Sequence, residues 1–208
     1  MSQHESQLRL AVEWRLLGLL FERPHSQWRK EVDTVAAEVR RKGLQRAAHA
    51  AIEAREGDYM ALLGPGGLLS PREVSYRPFS DPGQLFAELT TTYEAFGFAT
   101  QHEEAPDHIA VEIGFVSYLF LKEAFARACG NGEAATITAS ARERFIEEHL
   151  AGCAAGLRRR LDALPQCYLS LGAHELCKRV PAAPASERPL FAIDADMGCG
   201  GCAESFEP

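Results

Sequence analysis

The chain has 208 residues, 46% apolar, 25% charged and 9% aromatic, with 17 Gly and 11 Pro, which is an ordinary globular composition and excludes disorder, collagen-like repeats and a coiled-coil rod. Its formal charge of −7 excludes a nucleic-acid grip or an anionic lipid surface and favours a basic ligand. The best apolar run, the nine residues 113–121, ends at Lys122 and Glu123, well short of the roughly 20 apolar residues that a membrane helix needs.

The length fits one domain, with at most a small appendage. The charge is uneven: residues 61–135 carry 4 basic and 10 acidic groups and so hold nearly all of the excess. Residues 1–9 are polar and lack an apolar core before a small-residue cleavage site, so no export signal is read and a cytoplasmic location is expected.

Helical periodicity dominates the chain. Leu8, Val12, Leu16, Leu19 and Leu20, widened by Trp14 and Leu17, predict an amphipathic helix over 3–22 that Pro24 stops. Val32, Val35, Ala36 and Val39 predict a second, ended near Gly43, and Leu44, Ala47, Ala48, Ala51 and Ile52 a third. Residues 64–83 are so rich in Gly and Pro that no regular element runs through them. Two readings stand for this internal loop: a functional segment, or a crossover strap packed by Leu68, Leu69, Tyr76 and Phe79.

From Pro82 the pattern resumes through Leu85, Phe86, Leu89, Tyr93 and Phe96 to Gly97. Pro106, favoured in a first helical turn, is expected to open a helix through Ile109, Ile113, Val116 and Phe120. Because it is apolar nearly all round, it should be central. Further helices are expected over 138–164, closed by Pro165, and over 166–180. Pro181, Pro184 and Pro189 then mark an extended tail over 181–208. No alternating strand pattern longer than a few residues and no fixed-period repeat occurs. The expected fold is all-α: one helical domain of about seven helices over 1–180, plus the tail.

Common catalytic templates are missing, among them a phosphate loop, a nucleophile elbow and a His-Glu-x-x-His zinc helix. A helical di-iron site would need two Glu-x-x-His pairs, and the one present, Glu22 to His25, is interrupted by Pro24. The informative segment is Glu103-Glu104-Ala105-Pro106-Asp107-His108, which sets three carboxylates and an imidazole at the start of the central helix. Free N–H groups and the positive dipole end favour the acids there and disfavour an imidazolium. His108 therefore reads as a neutral hydrogen-bonding group, either of a site or of the structure. His108 and Glu112 share a helix face as a conceivable ligand pair, but no third ligand is evident.

Six cysteines occur, at 129, 153, 167, 177, 199 and 202. The first three read as small core residues in a reducing compartment. Cys199-Gly-Gly-Cys202 has a chemical spacing, and with His174 and Cys177 it could form a four-ligand zinc site clipping the tail to the last helix; a free dithiol is the other reading.

Four ordered segments carry a resemblance. Glu104-x-Pro106-Asp107-His108-Ile109, with Tyr93-Glu-Ala-Phe96-Gly97 upstream, resembles the TorD/DmsD/NarJ group of chaperones that mature molybdoenzymes. Asp58-Tyr59-Met-Ala-Leu-Leu63-Gly64-Pro65-Gly66 and Phe145-Ile-Glu-Glu-His149-Leu150 resemble flanking segments of that group, and Leu16 to Pro24 fits its first helix. The likeness covers roughly residues 8 to 165. Where the group often has a Trp after His-Leu, this chain has Ala151-Gly152-Cys153.

The resemblance implies an all-helical, non-catalytic cytoplasmic chaperone, with no required cofactor, as a monomer or a dimer swapped through the 64–83 hinge. Its implied partners are the apo-form of a molybdoenzyme catalytic subunit and that subunit's twin-arginine signal peptide, held until the cofactor is inserted. Tyr93, Phe96, Glu104, Pro106, Asp107 and His108 are the implied client-binding positions. In physical terms, Asp107 would pair with an arginine and His108 with peptide backbone, while Tyr93 and Phe96 would form an apolar wall. A thiol redox or metal-handling protein built on Cys199 and Cys202 is the alternative, and the tail lies outside the resemblance.

Overall fold

A computed structural model describes residues 3–99 and 104–182 of the chain. Among these, α1 (Gln3–Phe21), α2 (Trp28–Glu38), α3 (Lys42–Ala51), α4 (Glu56–Leu63), α5 (Pro82–Phe96), α6 (Ile109–Ala128), α7 (Gly132–Phe145), α8 (Ala151–Leu161) and α9 (Tyr168–Cys177) build an all-helical domain with no strand. A wide π turn, Ile146–Leu150, joins α7 to α8 in one bent helix.

The central pair is α1 against α6, as the apolar girth of both sequences requires. Leu16, Leu17, Leu19, Leu20 and Phe21 of α1 and Ile109, Ile113, Phe115, Val116 and Leu119 of α6 are fully buried. Ser117 Oγ donates to the Ala11 carbonyl at 2.8 Å, so the one hydroxyl in the seam is satisfied. On one side α7 lies along α6, and on the other α2, α3 and α9 gather around α1. Trp28 is completely buried, with its indole N–H donating to the Leu19 carbonyl at 2.7 Å. That bond satisfies the polar edge of the ring and closes the turn around Pro24.

Several boundaries differ from the sequence expectation for identifiable reasons. The eight-residue α4 breaks no rule of periodicity but is too short to announce itself beside Gly57. The helix expected from Thr138 begins at Gly132, because Asn131 Oδ1 accepts the Ala134 N–H at 3.0 Å and caps a first turn of small residues. Pro106 lies in the turn ahead of α6; the cap is His108. The final helix is shorter than 166–180, and Cys129, expected in the core, is exposed after α6.

Residues 64–81 form a strap across the domain, with one 3₁₀ turn, Glu73–Tyr76, and Pro82 and Gly83 open α5. Leu69 is buried and Tyr76 half-buried, as a packed strap requires, whereas Leu68 and Phe79 face outward at 70% and 94% exposure. Phe79 also has φ of 61°, a left-handed backbone unusual for an aromatic residue. The strap crosses α8 where Gly156 leaves room: a Cβ there would run into the Tyr76 ring.

Candidate functional site

The motif before α6 is a tight turn in which the His108 N–H bonds the Ala105 carbonyl at 2.9 Å. His108 Nδ1 accepts the Ala110 N–H at 3.2 Å, which places the ring proton on Nε2. Nε2 then faces the Tyr59 hydroxyl at 3.4 Å and Glu104 at 3.9 Å. Tyr59 donates to the Phe21 carbonyl at 3.1 Å, so its oxygen is free to accept from the imidazole. Burial pushes the Tyr59 phenol upward in pKa, helped by Glu104 and Glu22, and keeps it a donor. The dipole argument for a hydrogen-bonding His108 thus has a structural basis: the ring is the helix cap.

Asp107 is fully buried and binds the strap. Its Oδ1 takes the Arg72 Nε–H in an ion pair, and its Oδ2 lies 3.4 Å from the Val74 N–H. Backbone bonds on each side, Glu73 N–H to the Asp107 carbonyl at 2.8 Å and Ile109 N–H to the Pro71 carbonyl at 2.9 Å, make Arg72 and His108 a short antiparallel bridge. The arginine that the resemblance assigned to a client is, in this structure, supplied by the chain's own strap.

Behind the bridge lies a polar cluster inside the core. Glu73, fully buried, accepts from Arg77 Nε at 2.5 Å and from His149 Nδ1 at 3.1 Å. Arg77 also donates to the Glu148 carbonyl, so the π turn holds the far end of the strap. Glu112 enters the same cluster from α6, fully buried, and its oxygens meet no N–H or neutral O–H donor. Burial, then the charge of the adjacent Glu73, holds the Glu112 carboxyl well above the usual glutamate range. Crowding of the two buried carboxyls thus disfavours the charged form of Glu112.

A cavity of 450 Å³ opens where strap, α4 and motif meet. Tyr59, Met60, Leu63 and Leu69 give it an apolar wall, and Arg23, Arg72, Glu104 and His108 a polar one. Glu104 is its half-exposed carboxylate, at 43% side-chain exposure. The structure thus brings Glu104 and His108 to the cavity and sets Asp107 behind Arg72. Tyr93 and Phe96 do not line it. Tyr93 is buried among Phe98, Phe115 and Phe145, and its hydroxyl donates to the Pro106 carbonyl at 2.9 Å. It positions the motif. Half-buried Phe96 packs on Phe115.

Sequence reasoning missed Arg72, Glu73 and Arg77, and singled out Glu112 only as a conceivable ligand partner of His108. The first three sit in a loop without periodicity, and Glu112 lies in the first turn of α6. His149 had a signal only through the Phe145-to-Leu150 segment. His174 is exposed near α3, and the Cys177 thiol donates to the Ala154 carbonyl of α8 at 3.4 Å. Cys199, Cys202 and Glu103 lie outside the described residues. Glu22, His25 and Glu31 converge within reach of one ion, but Arg15 places its guanidinium on both carboxylates, at 2.6 and 3.6 Å. Among the described residues no helix is long and apolar enough to cross a membrane.

Comparison with known proteins agrees with this architecture. The nitrate reductase delta subunit family matches residues 21–154. The chain is 32% identical over 125 residues to the selenate reductase assembly chaperone protein of Thauera selenatis, covering 58% of this chain and 64% of that one. It is 31% identical, with the same coverage, to the chlorate reductase assembly chaperone protein of Ideonella dechloratans. The aligned part thus spans less than two thirds of either relative. A proposed redox enzyme maturation protein from Archaeoglobus fulgidus shares the fold, with a TM-score of 0.50 at 16% identity over 82% of this chain and 93% of that one. The chain belongs to the nitrate reductase delta subunit family, within the TorD/DmsD/NarJ group that its central motif resembles.

Proposed function

We propose that this protein is a cytoplasmic assembly chaperone that holds the apo-form of a molybdenum-containing reductase subunit, through its twin-arginine leader, until the cofactor is inserted. Family membership and the two named assembly chaperones support the chaperone class. The observation that carries the leader reading is the cavity at the motif, where the half-exposed Glu104 carboxylate and His108 stand beside an apolar wall of Met60, Leu63 and Leu69. An arginine followed by apolar residues matches both halves: the guanidinium pairs with Glu104 and the apolar side chains cover the wall. The acidic excess of residues 61–135 attracts such a segment from a distance.

The test is calorimetry of the protein with a synthetic leader peptide carrying Arg-Arg ahead of an apolar stretch. Glu104→Gln and His108→Ala are each expected to weaken binding by about tenfold, roughly 1.4 kcal/mol. Undiminished affinity in both folded variants removes these residues from the site. Co-purification from the host is expected to recover one reductase subunit lacking its cofactor.

A further inference from the structure

Asp107 is a fully buried carboxylate whose guanidinium partner belongs to a segment that also walls the cavity. Arg72 is 33% exposed at its side chain, pairs with Asp107 through Nε, and lays its guanidinium over the Phe86 ring at 4.8 Å. We infer that Arg72 occupies the seat of a client arginine in the empty protein, and that displacing it is what makes the site select arginine over lysine. This rests on the leader-binding reading above.

Leaving Asp107 buried without a partner costs several kcal/mol, so Arg72 departs only when another cation takes its place. The seat offers a carboxylate edge and an aromatic face, which a planar, stacking guanidinium satisfies together and a compact ammonium does not. The route is short. Arg72 and His108 both line the cavity, and Asp107 lies directly behind their backbone bridge. Glu104 at the mouth receives one arginine of a pair, and Asp107 receives the other once Arg72 swings out. Exchange of one guanidinium for another leaves the buried charge balanced and frees the strap, which is otherwise tied by the Glu73 and Ile109 amide bonds. Arg72 thus competes with every ligand and penalises lysine most.

The experiment measures affinity of the full chain for two synthetic peptides, identical except that one carries Arg-Arg and the other Lys-Lys ahead of the apolar stretch. Arg72→Gln is expected to bind the Arg-Arg peptide about tenfold tighter than wild type, because the seat is already vacant, and to narrow the Arg-over-Lys preference. In wild type, the Arg-Arg peptide is expected to speed hydrogen exchange at the Glu73 and Ile109 amides, a readout that needs no variant. Should Arg72→Gln fail to fold, Arg72→Lys keeps the charge without the planar fork and is expected to shift the same ratio to a smaller extent. Equal affinities and an unchanged preference in the folded variant overturn the role of Arg72 while leaving leader binding standing. Weaker binding by Arg72→Gln overturns it as well, since Arg72 would then be a direct contact. Failure of wild type and variant alike to bind either peptide removes both proposals.

Discussion

Glu112 is the residue whose chemistry depends most on its surroundings. It feels the charges of Glu73 and Asp107, partly offset by Arg77. Its carboxyl is held above the ordinary range, so the folded protein retains a proton that the unfolded chain releases near the ordinary glutamate value of 4.5. Above that pH the unfolded state binds fewer protons than the folded one, and stability falls as pH rises toward the folded pKa. Glu112→Gln keeps the shape but does not ionise. Thermal midpoints measured between about pH 5 and 9 are expected to fall less for the variant than for wild type. Parallel curves would show that Glu112 is already ionised in the fold. A second residue-scale expectation concerns Tyr93, whose hydroxyl supports the Pro106 carbonyl at 2.9 Å. Tyr93→Phe removes that one bond, and urea unfolding should show a loss of about 1 kcal/mol.

Among the elements, the strap is anchored by the Arg72–Asp107 and Arg77–Glu73 ion pairs, and its seating depends on a missing side chain. Gly156 sits under the Tyr76 ring, where any Cβ would collide with it. Gly156→Ala is therefore expected to lift the strap, raising hydrogen exchange at the Glu73 and Ile109 amides while the α1–α6 seam stays protected. Unchanged exchange at those two amides would mean that the polar anchors alone hold the strap. For α7 the expectation is a capping one. Asn131→Ala removes the side-chain acceptor of the Ala134 N–H and should cost about 1 kcal/mol in the same urea measurement. An unaffected midpoint would place the true start of that helix nearer Thr138, as periodicity alone suggested.

For the whole molecule, the cavity, the strap and the polar cluster draw, among the described residues, on side chains between Arg23 and Arg160. Leader binding should then be independent of the tail cysteines. The double variant Cys199→Ser and Cys202→Ser in the full chain is expected to bind the Arg-Arg peptide within about twofold of wild type, under 0.5 kcal/mol. A loss of tenfold or more would instead favour the thiol or metal reading of the tail.

The amino-acid sequence determined the class of fold, because 3.6-residue periodicity is a local property and survives without knowledge of neighbours. It also marked Glu104, Asp107 and His108, since Pro, acids and imidazole crowded before an apolar helix are unusual wherever that helix packs. Short α4 and the first turn of α7 escaped it, one for want of length and the other for want of large apolar residues. The division of roles within the motif was decided only by tertiary structure. Asp107 is an inner anchor because Arg72, 35 residues earlier in the chain, folds back onto it, and Tyr93 is a support because its hydroxyl meets Pro106. Glu112 stood out only as a conceivable ligand partner of His108, and its raised pKa follows from Glu73, which the strap brings beside it and His149 of the π turn holds. Burial and partner identity arise from long-range packing, and they set which carboxylate is charged, which is paired and which is left for a ligand.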